Sequence, residues 1–212
     1  MKKLSGLGLL LALILSLTGC YGGSDNSPPV YEAAIYSDQP ADGDIAYDPV
    51  RKVYTITNGP STLYFGFDAK DSNLPEYRAF LDFSLDGLRG GAIVPANASI
   101  VSATMEVFIN EVNYAAKVPA LIDLISSSFS GLRVDDFSSL PLWTQHVNFY
   151  PADQGAYVTI DVTPLVREAQ SRRLADLQLR ILLDLAANNG FVGIEDRRTV
   201  SLTAPLLKVR YQ

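Results

Sequence analysis

Aspartates clustered in one short segment supply the kind of oxygen atoms that bind calcium. Asp38, Asp42, Asp44 and Asp48 all lie within residues 38–48. Carboxylate oxygens are preferred calcium ligands in proteins, so the first three predict a structural calcium site on an exported domain. The segment lacks the glutamate that completes an EF-hand loop, and a solvated acidic loop is the alternative interpretation.

Aromatic side chains in turn-like surroundings offer a second kind of chemistry, because a ring face can pack on the C–H face of a sugar. The chain has 11 Tyr, 9 Phe and one Trp. Trp143 lies among polar neighbours, and Tyr36, Tyr47, Tyr64 and Tyr114 lie near turns. We therefore predict a ligand-binding role for Trp143, Tyr36 and Tyr47. The alternative for Trp143 is that its ring fills the edge of the core, as most tryptophans do.

Residues typical of nucleophilic or zinc-dependent catalysis are scarce in this chain. His146 is the single histidine and Cys20 the single cysteine, and no Gly-x-Ser-x-Gly elbow is present. Two acidic pairs occur, at 135–136 and 195–196, but adjacent strand residues point to opposite faces, which favours roles in turns and ion pairs. We predict a protein that is not an enzyme. Glycoside hydrolysis stays open as an alternative, because it depends on a carboxylate separation set in three dimensions.

The charge of the chain bears on its partners. Lys and Arg total 17 and Asp and Glu total 23, which gives a formal net charge of −6. An acidic surface is repelled by phosphate backbones, so we do not expect nucleic acid as a partner.

The N-terminus is typical of an exported protein. Two lysines precede an apolar run over residues 4–17, which is too short for a membrane span of about 20 residues but suits a signal peptide. The run ends in Leu17-Thr18-Gly19-Cys20, which resembles the lipobox of bacterial lipoproteins. We therefore predict a signal peptide over 1–19 and lipid attachment at Cys20.

A lipid on Cys20 would hold the chain at a membrane surface, since more than one acyl chain gives stable anchoring. The next residue is Tyr21 rather than Asp, a pattern that resembles export to the outer membrane if the source is Gram-negative. Residues 20–29 are rich in Gly, Ser and Pro and predict a flexible tether. The expected location is the cell envelope, with a single folded domain over 30–212.

Apolar and polar residues alternate along most of that domain, which is typical of antiparallel strands with one buried and one wet face. The clearest example is Ile100–Ile109, and Leu177–Leu185 sets its leucines opposite Gln178, Arg180 and Asp184. A short helix is predicted near 164–172, where Pro164 suits a first turn. The pattern therefore predicts an all-β fold, an antiparallel β-sandwich with one short helix. The other predicted strands are Val30–Tyr36, Val53–Thr57, Leu63–Phe67, Arg78–Phe83, Leu121–Ser126, Tyr157–Val162, Phe191–Glu195 and Leu207–Tyr211.

Four segments occur in an order that resembles the DNRLRE-type domains, which are relatives of disaggregatase-associated modules. Residues 77–85 are similar to their strand R-x-x-L-x-F-D/S-L, and residues 93–105 to their P-x-x-A-x-I-x-S-A-x-L. Residues 160–166 are similar to D-V-T-x-L-V, and residues 204–211 to a closing x-P-x-L-x-V-x-Y. The literal string DNRLRE is absent, and Glu168-Ala169-Gln170 stands where the family has a tryptophan after the helix.

The resemblance implies a β jelly-roll of the kind attached to extracellular polysaccharide-acting enzymes and surface proteins, with some relatives similar to carbohydrate-binding modules. It leads to the expectation of an envelope lipoprotein whose domain binds extracellular carbohydrate without catalysis. Two alternatives stay open: a structural or protein-interaction lipoprotein of the surface, and a polysaccharide-degrading enzyme.

Overall fold

The computed structural model describes residues 28–89, 91–127, 131–184, 189–197 and 202–212. The predicted signal peptide, Cys20 and most of the predicted tether lie outside the described residues. Among the residues described, no helix is both long and apolar enough to span a membrane.

Twelve strands and one α-helix make up most of the described residues. The strands are Tyr31–Tyr36 (β1), Gly43–Asp48 (β2), Val53–Asn58 (β3), Thr62–Phe67 (β4), Glu76–Ser84 (β5), Ile100–Asn113 (β6), Val118–Ile125 (β7), Trp143–Phe149 (β8), Ala156–Asp161 (β9), Asp176–Leu183 (β10), Phe191–Glu195 (β11) and Leu206–Tyr211 (β12). The helix is Thr163–Ser171 (α1), and short 3-10 helices lie at Val134–Ser138 and Pro151–Asp153. The predicted all-β antiparallel sandwich with one short helix is confirmed.

The strands form one curled antiparallel sheet. Its order is β1-β12-β6-β11-β4-β5-β10-β7-β8, with β2 bonded to β3 and β5, and with β9 bonded to β6. The long strand β6 pairs with β12 through residues 100–106 and with β11 through residues 108–113. The Gln145 side chain of β8 donates a hydrogen bond to the Asp161 carbonyl of β9, at 2.9 Å. The curl thus brings the β8 edge back to β9.

The predicted alternation sets the main core. Met105, Val107 and Ile109 of β6 are fully buried, and α1 adds Leu165 and Val166 to the same cluster. A second cluster covers the opposite face of the sheet near β10 and consists of Ile45, Phe80, Ile125 and Phe137. Both clusters lie within residues 33–209, so a fragment spanning 28–212 contains the whole described core.

Two strands, β2 and β8, were not predicted from the sequence. The acidic segment, interpreted as a loop, contributes β2, because residues 43–47 pair with 76–80 of β5 and residues 43–48 pair with β3. The surroundings of Trp143, also interpreted as a loop, form β8, which pairs with β7. In both cases backbone pairing with a neighbouring strand outweighs a local composition that favours turns.

Candidate functional site

The three aromatic residues predicted to bind a ligand lie on three separate strands. Trp143 begins β8 and is 47% exposed, Tyr36 ends β1, and Tyr47 lies in β2. No two of these strands are hydrogen-bonded neighbours. The Tyr47 ring packs against Tyr54 at 4.7 Å between centroids. The structure therefore does not place Trp143, Tyr36 and Tyr47 on adjacent strands.

The three aspartates predicted to bind calcium are directed at different protein groups. Their partners are as follows: Asp38 Oδ2 accepts from Arg89 at 3.0 Å, Asp42 Oδ1 from the Asp82 N–H at 2.7 Å, and Asp44 Oδ2 from the Tyr64 N–H at 3.2 Å. Across the described ranges, no group of three or more His, Cys, Asp or Glu residues is placed to hold a metal ion. The calcium site stays a sequence prediction without support from this arrangement.

Burial changes the acidity of two of these aspartates. It raises the pKa of Asp42 well above its usual value, and the nearby Asp196 carboxyl raises it further. Burial also raises the pKa of Asp44 to about 6, although hydrogen bonds from Tyr64 and Thr57 act against that rise. Desolvation penalises the charged form, so both carboxyls bind protons more tightly in the folded protein than in the unfolded chain.

The raised pKa of Asp44 predicts a pH-dependent stability. The folded state holds this proton until about pH 6, whereas the unfolded chain releases it near pH 4, so the carboxyl lowers the free energy of unfolding as pH rises through this window. We expect Asp44→Asn to be more stable than the parent at pH 7, by about 2 kcal/mol after allowing for residual solvation, and nearly equal to it at pH 3.5. Urea denaturation at both pH values measures the difference.

Asp86 is the control for this experiment, because its pKa is lowered, first by the hydrogen bond from the Leu88 N–H. Asp86→Asn should therefore lose stability at pH 7 relative to low pH, which is the opposite sign. An Asp44→Asn difference of the same size at pH 3.5 and pH 7 would contradict the assignment.

A group of rings and carboxylates forms on the β4, β5, β6 and β11 side of the sheet, where partly exposed tyrosine rings surround a Phe191 ring that is only 7% exposed. We call it the aromatic–acidic face, and its members are Tyr64, Tyr77, Phe191, Tyr114, Asp68 and Glu111. In β4, Leu63 and Phe65 enter the core, so the intervening Tyr64 points outward. The strand register then sets Gly193 opposite both Tyr64 and Glu111 on the same side.

The rings of this face are in mutual contact. Tyr64 stacks on Phe191 with 5.1 Å between centroids and 6° between planes, and Tyr77 meets Phe191 edge-on at 5.5 Å. Tyr114 lies 6.3 Å from Phe191 and is 37% exposed. Such contacts pre-orient the rings at little further entropic cost on binding.

Two glycines allow this close approach. Gly66 pairs with Phe191 on one side and with Tyr77 on the other, so both rings lean over a position without a side chain. A Cβ at Gly193 would lie 3.1 Å from atoms of both Tyr64 and Glu111. The absence of side chains at these two positions sets the shape of the face.

Polar groups surround the rings. The Tyr114 hydroxyl donates to Asp68 Oδ1 at 3.2 Å, and Asn113 Nδ2 donates to Glu111 Oε2 at 2.6 Å. Burial and the Glu111 carboxylate raise the pKa of the Tyr64 phenol, so it remains protonated at neutral pH. The face thus combines ring surfaces with carboxylate acceptors and with hydroxyl and amide donors, which is the mixture that a polyhydroxylated ligand can use.

The sequence indicates parts of this face but not the whole. Tyr64 and Tyr114 lie near predicted turns, and Tyr77 lies at the start of the R-x-x-L segment. The missing signal was the pairing of β11 with β4 and β6, which brings Phe191 into contact with all three tyrosines.

Comparison with known protein families and with curated protein sequences finds no significant match to this chain. The resemblance to DNRLRE-type domains therefore stays a prediction based on the four segments described above.

Proposed function

We propose that this chain is a cell-envelope lipoprotein whose β-sandwich binds extracellular carbohydrate without cleaving it. The carbohydrate-binding part of this proposal rests on the aromatic–acidic face. Anchoring through Cys20 rests on the sequence alone, as does the resemblance to carbohydrate-binding domains.

The face supports this function through its position and composition. It lies on the outer side of strands whose inner side packs the core, so the rings are held by a rigid support. Its partly exposed tyrosine rings, above all that of Tyr114, can cover the apolar face of a sugar, while Asp68, Glu111 and Asn113 can bond the hydroxyl groups of that sugar.

Tyr114 is the member best placed for direct contact. Its ring is the most exposed of the four, and its backbone has φ of 68°, which is rare for a bulky residue. A residue in this sparsely populated region persists only where the surrounding structure holds it, so the Tyr114 backbone is fixed at the edge of the face.

Affinity gel electrophoresis of residues 28–212 against a panel of soluble polysaccharides tests the proposal. We expect retardation by at least one polymer, and about a tenfold loss of affinity in Tyr114→Asn, because removal of an aromatic anchor typically costs this much. Asparagine tolerates the left-handed backbone, so the variant removes the ring without adding strain. Glu111→Gln should weaken binding through the loss of the charged acceptor.

Tyr157→Asn is the matched control, because Tyr157 is an exposed tyrosine of β9 outside the face. Trp143→Ala tests the sequence-based alternative in the same gels. Absence of retardation by every polymer, or equal effects of Tyr114→Asn and Tyr157→Asn, would overturn the proposed site. Release of reducing sugar by the purified domain would overturn the non-catalytic part.

A further inference from the structure

A separate cavity of about 330 Å³ lies between α1 and the segment that joins β5 to β6. Its walls are aliphatic and include Leu85, Ile93, Val94, Pro95, Val166 and Leu174. This volume is at the lower end of the range of about 300–1,000 Å³ that is typical of small-molecule sites. Its position on α1 separates it from the aromatic–acidic face, and none of the rings of that face lines it.

Most polar groups of the cavity already have protein partners. Asp86 accepts hydrogen bonds from the Ser84 hydroxyl and the Leu88 N–H, each at 2.9 Å. Gln170 Nε2 donates to the carbonyls of Pro95 and Ala98, at 3.1 and 2.8 Å. A sugar in this cavity would lose water from its hydroxyl groups without gaining enough partners, so the lining favours an alkyl chain.

Arg173 differs from these groups. Its side chain is exposed at the wall of the cavity, and no carboxylate in the described part of the chain forms an ion pair with it. A guanidinium at the edge of an aliphatic cavity can bind an anionic head group in a charge-assisted, bidentate manner.

The backbone conformation of Arg173 is a second unusual feature of this residue at the edge of the cavity. The residue follows the end of α1 with φ of 56°, while the Leu174 N–H bonds the Ala169 carbonyl at 3.0 Å. Helix ends of this form favour glycine, because other residues are strained in the left-handed region. Strain alone is not diagnostic, since Lys52 has φ of 58° in an ordinary turn. At Arg173 it coincides with a cation that borders an apolar cavity and has no ion-pair partner within the described ranges.

We infer that this cavity binds a single alkyl chain with an anionic head group, of the fatty-acid class. The chain lies among the aliphatic walls, and the carboxylate bonds the Arg173 guanidinium at the edge. The volume suits one chain rather than the two chains of a phospholipid. The site is independent of the aromatic–acidic face, so each can fail without the other.

Isothermal titration of residues 28–212 with hexanoate, octanoate and decanoate, below their micelle concentrations, tests the chain-binding part. Affinity is expected to rise about fourfold for each methylene that becomes buried, until the chain fills the cavity. Ala96→Trp places a large ring at an exposed position of the cavity wall, and it should abolish binding while the thermal unfolding temperature stays within a few degrees. Affinity that does not depend on chain length overturns the inference.

Arg173→Gly tests the head-group contact. This variant should weaken decanoate binding at least tenfold and leave 1-decanol binding unchanged, because only decanoate carries the charge. Its unfolding temperature should be equal to or above that of the parent, since glycine relieves the left-handed backbone. Lys52→Gly gives the same backbone relief in a turn away from the cavity, and it should leave both ligands unaffected.

Three results would overturn the inference: equal decanoate affinity in Arg173→Gly and the parent, equal loss in Lys52→Gly, or binding to anionic phospholipid vesicles with no binding to decanoate. Tyr114→Asn should bind decanoate as the parent does. That comparison separates a failure of this site from a failure of the proposed carbohydrate site.

Discussion

Arg180→Met is expected to lower the free energy of unfolding by about 3–5 kcal/mol. Arg180 is only 3% exposed, and its guanidinium bonds Asp123 Oδ2 at 2.6 Å. It also donates to the carbonyls of Asp136 and Phe137, each at 3.0 Å. Methionine has a similar length and keeps the packing, but it leaves the Asp123 charge buried, with the Thr144 hydroxyl as its remaining side-chain partner among the described residues. It also releases the 3-10 helix at Val134–Ser138 from β10.

Chemical denaturation at pH 7 measures this loss, and two variants separate its causes. The double variant Arg180→Met/Asp123→Leu should recover a large part of the stability, because it removes the unpaired charge as well as the cation. Lys208→Met breaks the partly exposed ion pair with Glu106, and it should cost much less. A single-variant loss below about 1 kcal/mol, or no recovery in the double variant, would contradict a buried pair.

Arg180 also shows how far the alternation of residue types can be interpreted. The pattern of β10 correctly predicted that Leu177, Leu179 and Ile181 enter the core. It placed Gln178 and Arg180 on a wet face, which is wrong, because both are buried. A two-residue period tells which residues share a face, but it does not tell what covers the other face.

The residues that cover Gln178 and Arg180 come from segments that are remote from β10 in sequence. Phe137 of the 3-10 helix and Ile45 of β2 pack beside Phe80 and Ile125. The Arg180 guanidinium then bonds carbonyls of that 3-10 helix instead of water. These contacts are visible only in the folded structure, because no local sequence pattern relates residue 136 to residue 180.

In the candidate site too, the local sequence predicts the direction of single side chains, but it does not predict contacts between distant strands. The outward direction of Tyr64 follows from its position between Leu63 and Phe65. Its contact with Phe191 requires the register of β11 against β4, which joins residues more than one hundred positions apart. The outward direction of a single ring such as Tyr64 was therefore predictable, whereas the aromatic–acidic face was not.

Gly66→Ala is expected to lower the free energy of unfolding by about 3–5 kcal/mol, through backbone strain combined with overpacking. Gly66 has φ of 102°, which side chains rarely adopt, and an added Cβ would lie 2.1 Å from the Gly190 carbonyl oxygen. Relief requires β4 and β11 to separate, which breaks the bond from the Phe67 N–H to the same oxygen, now 2.8 Å. It also moves Phe191 away from Tyr64.

Gly91→Ala is the matched control, because Gly91 has φ of 98° but its added Cβ would meet no atom within 4 Å. The control therefore measures only the conformational cost of a side chain at positive φ, roughly 1–2 kcal/mol, and the difference between the two variants isolates the collision with β11. Denaturation gives this difference, and near-ultraviolet circular dichroism follows the tyrosine environments of the aromatic–acidic face. If Gly66→Ala lowers the free energy of unfolding no more than Gly91→Ala does and leaves that spectrum unchanged, then β4 and β11 do not approach each other closely at Gly66.

Because Phe191 is held by the same strand pair, a Gly66→Ala protein that still folds should also lose carbohydrate affinity, whereas Gly91→Ala should keep it.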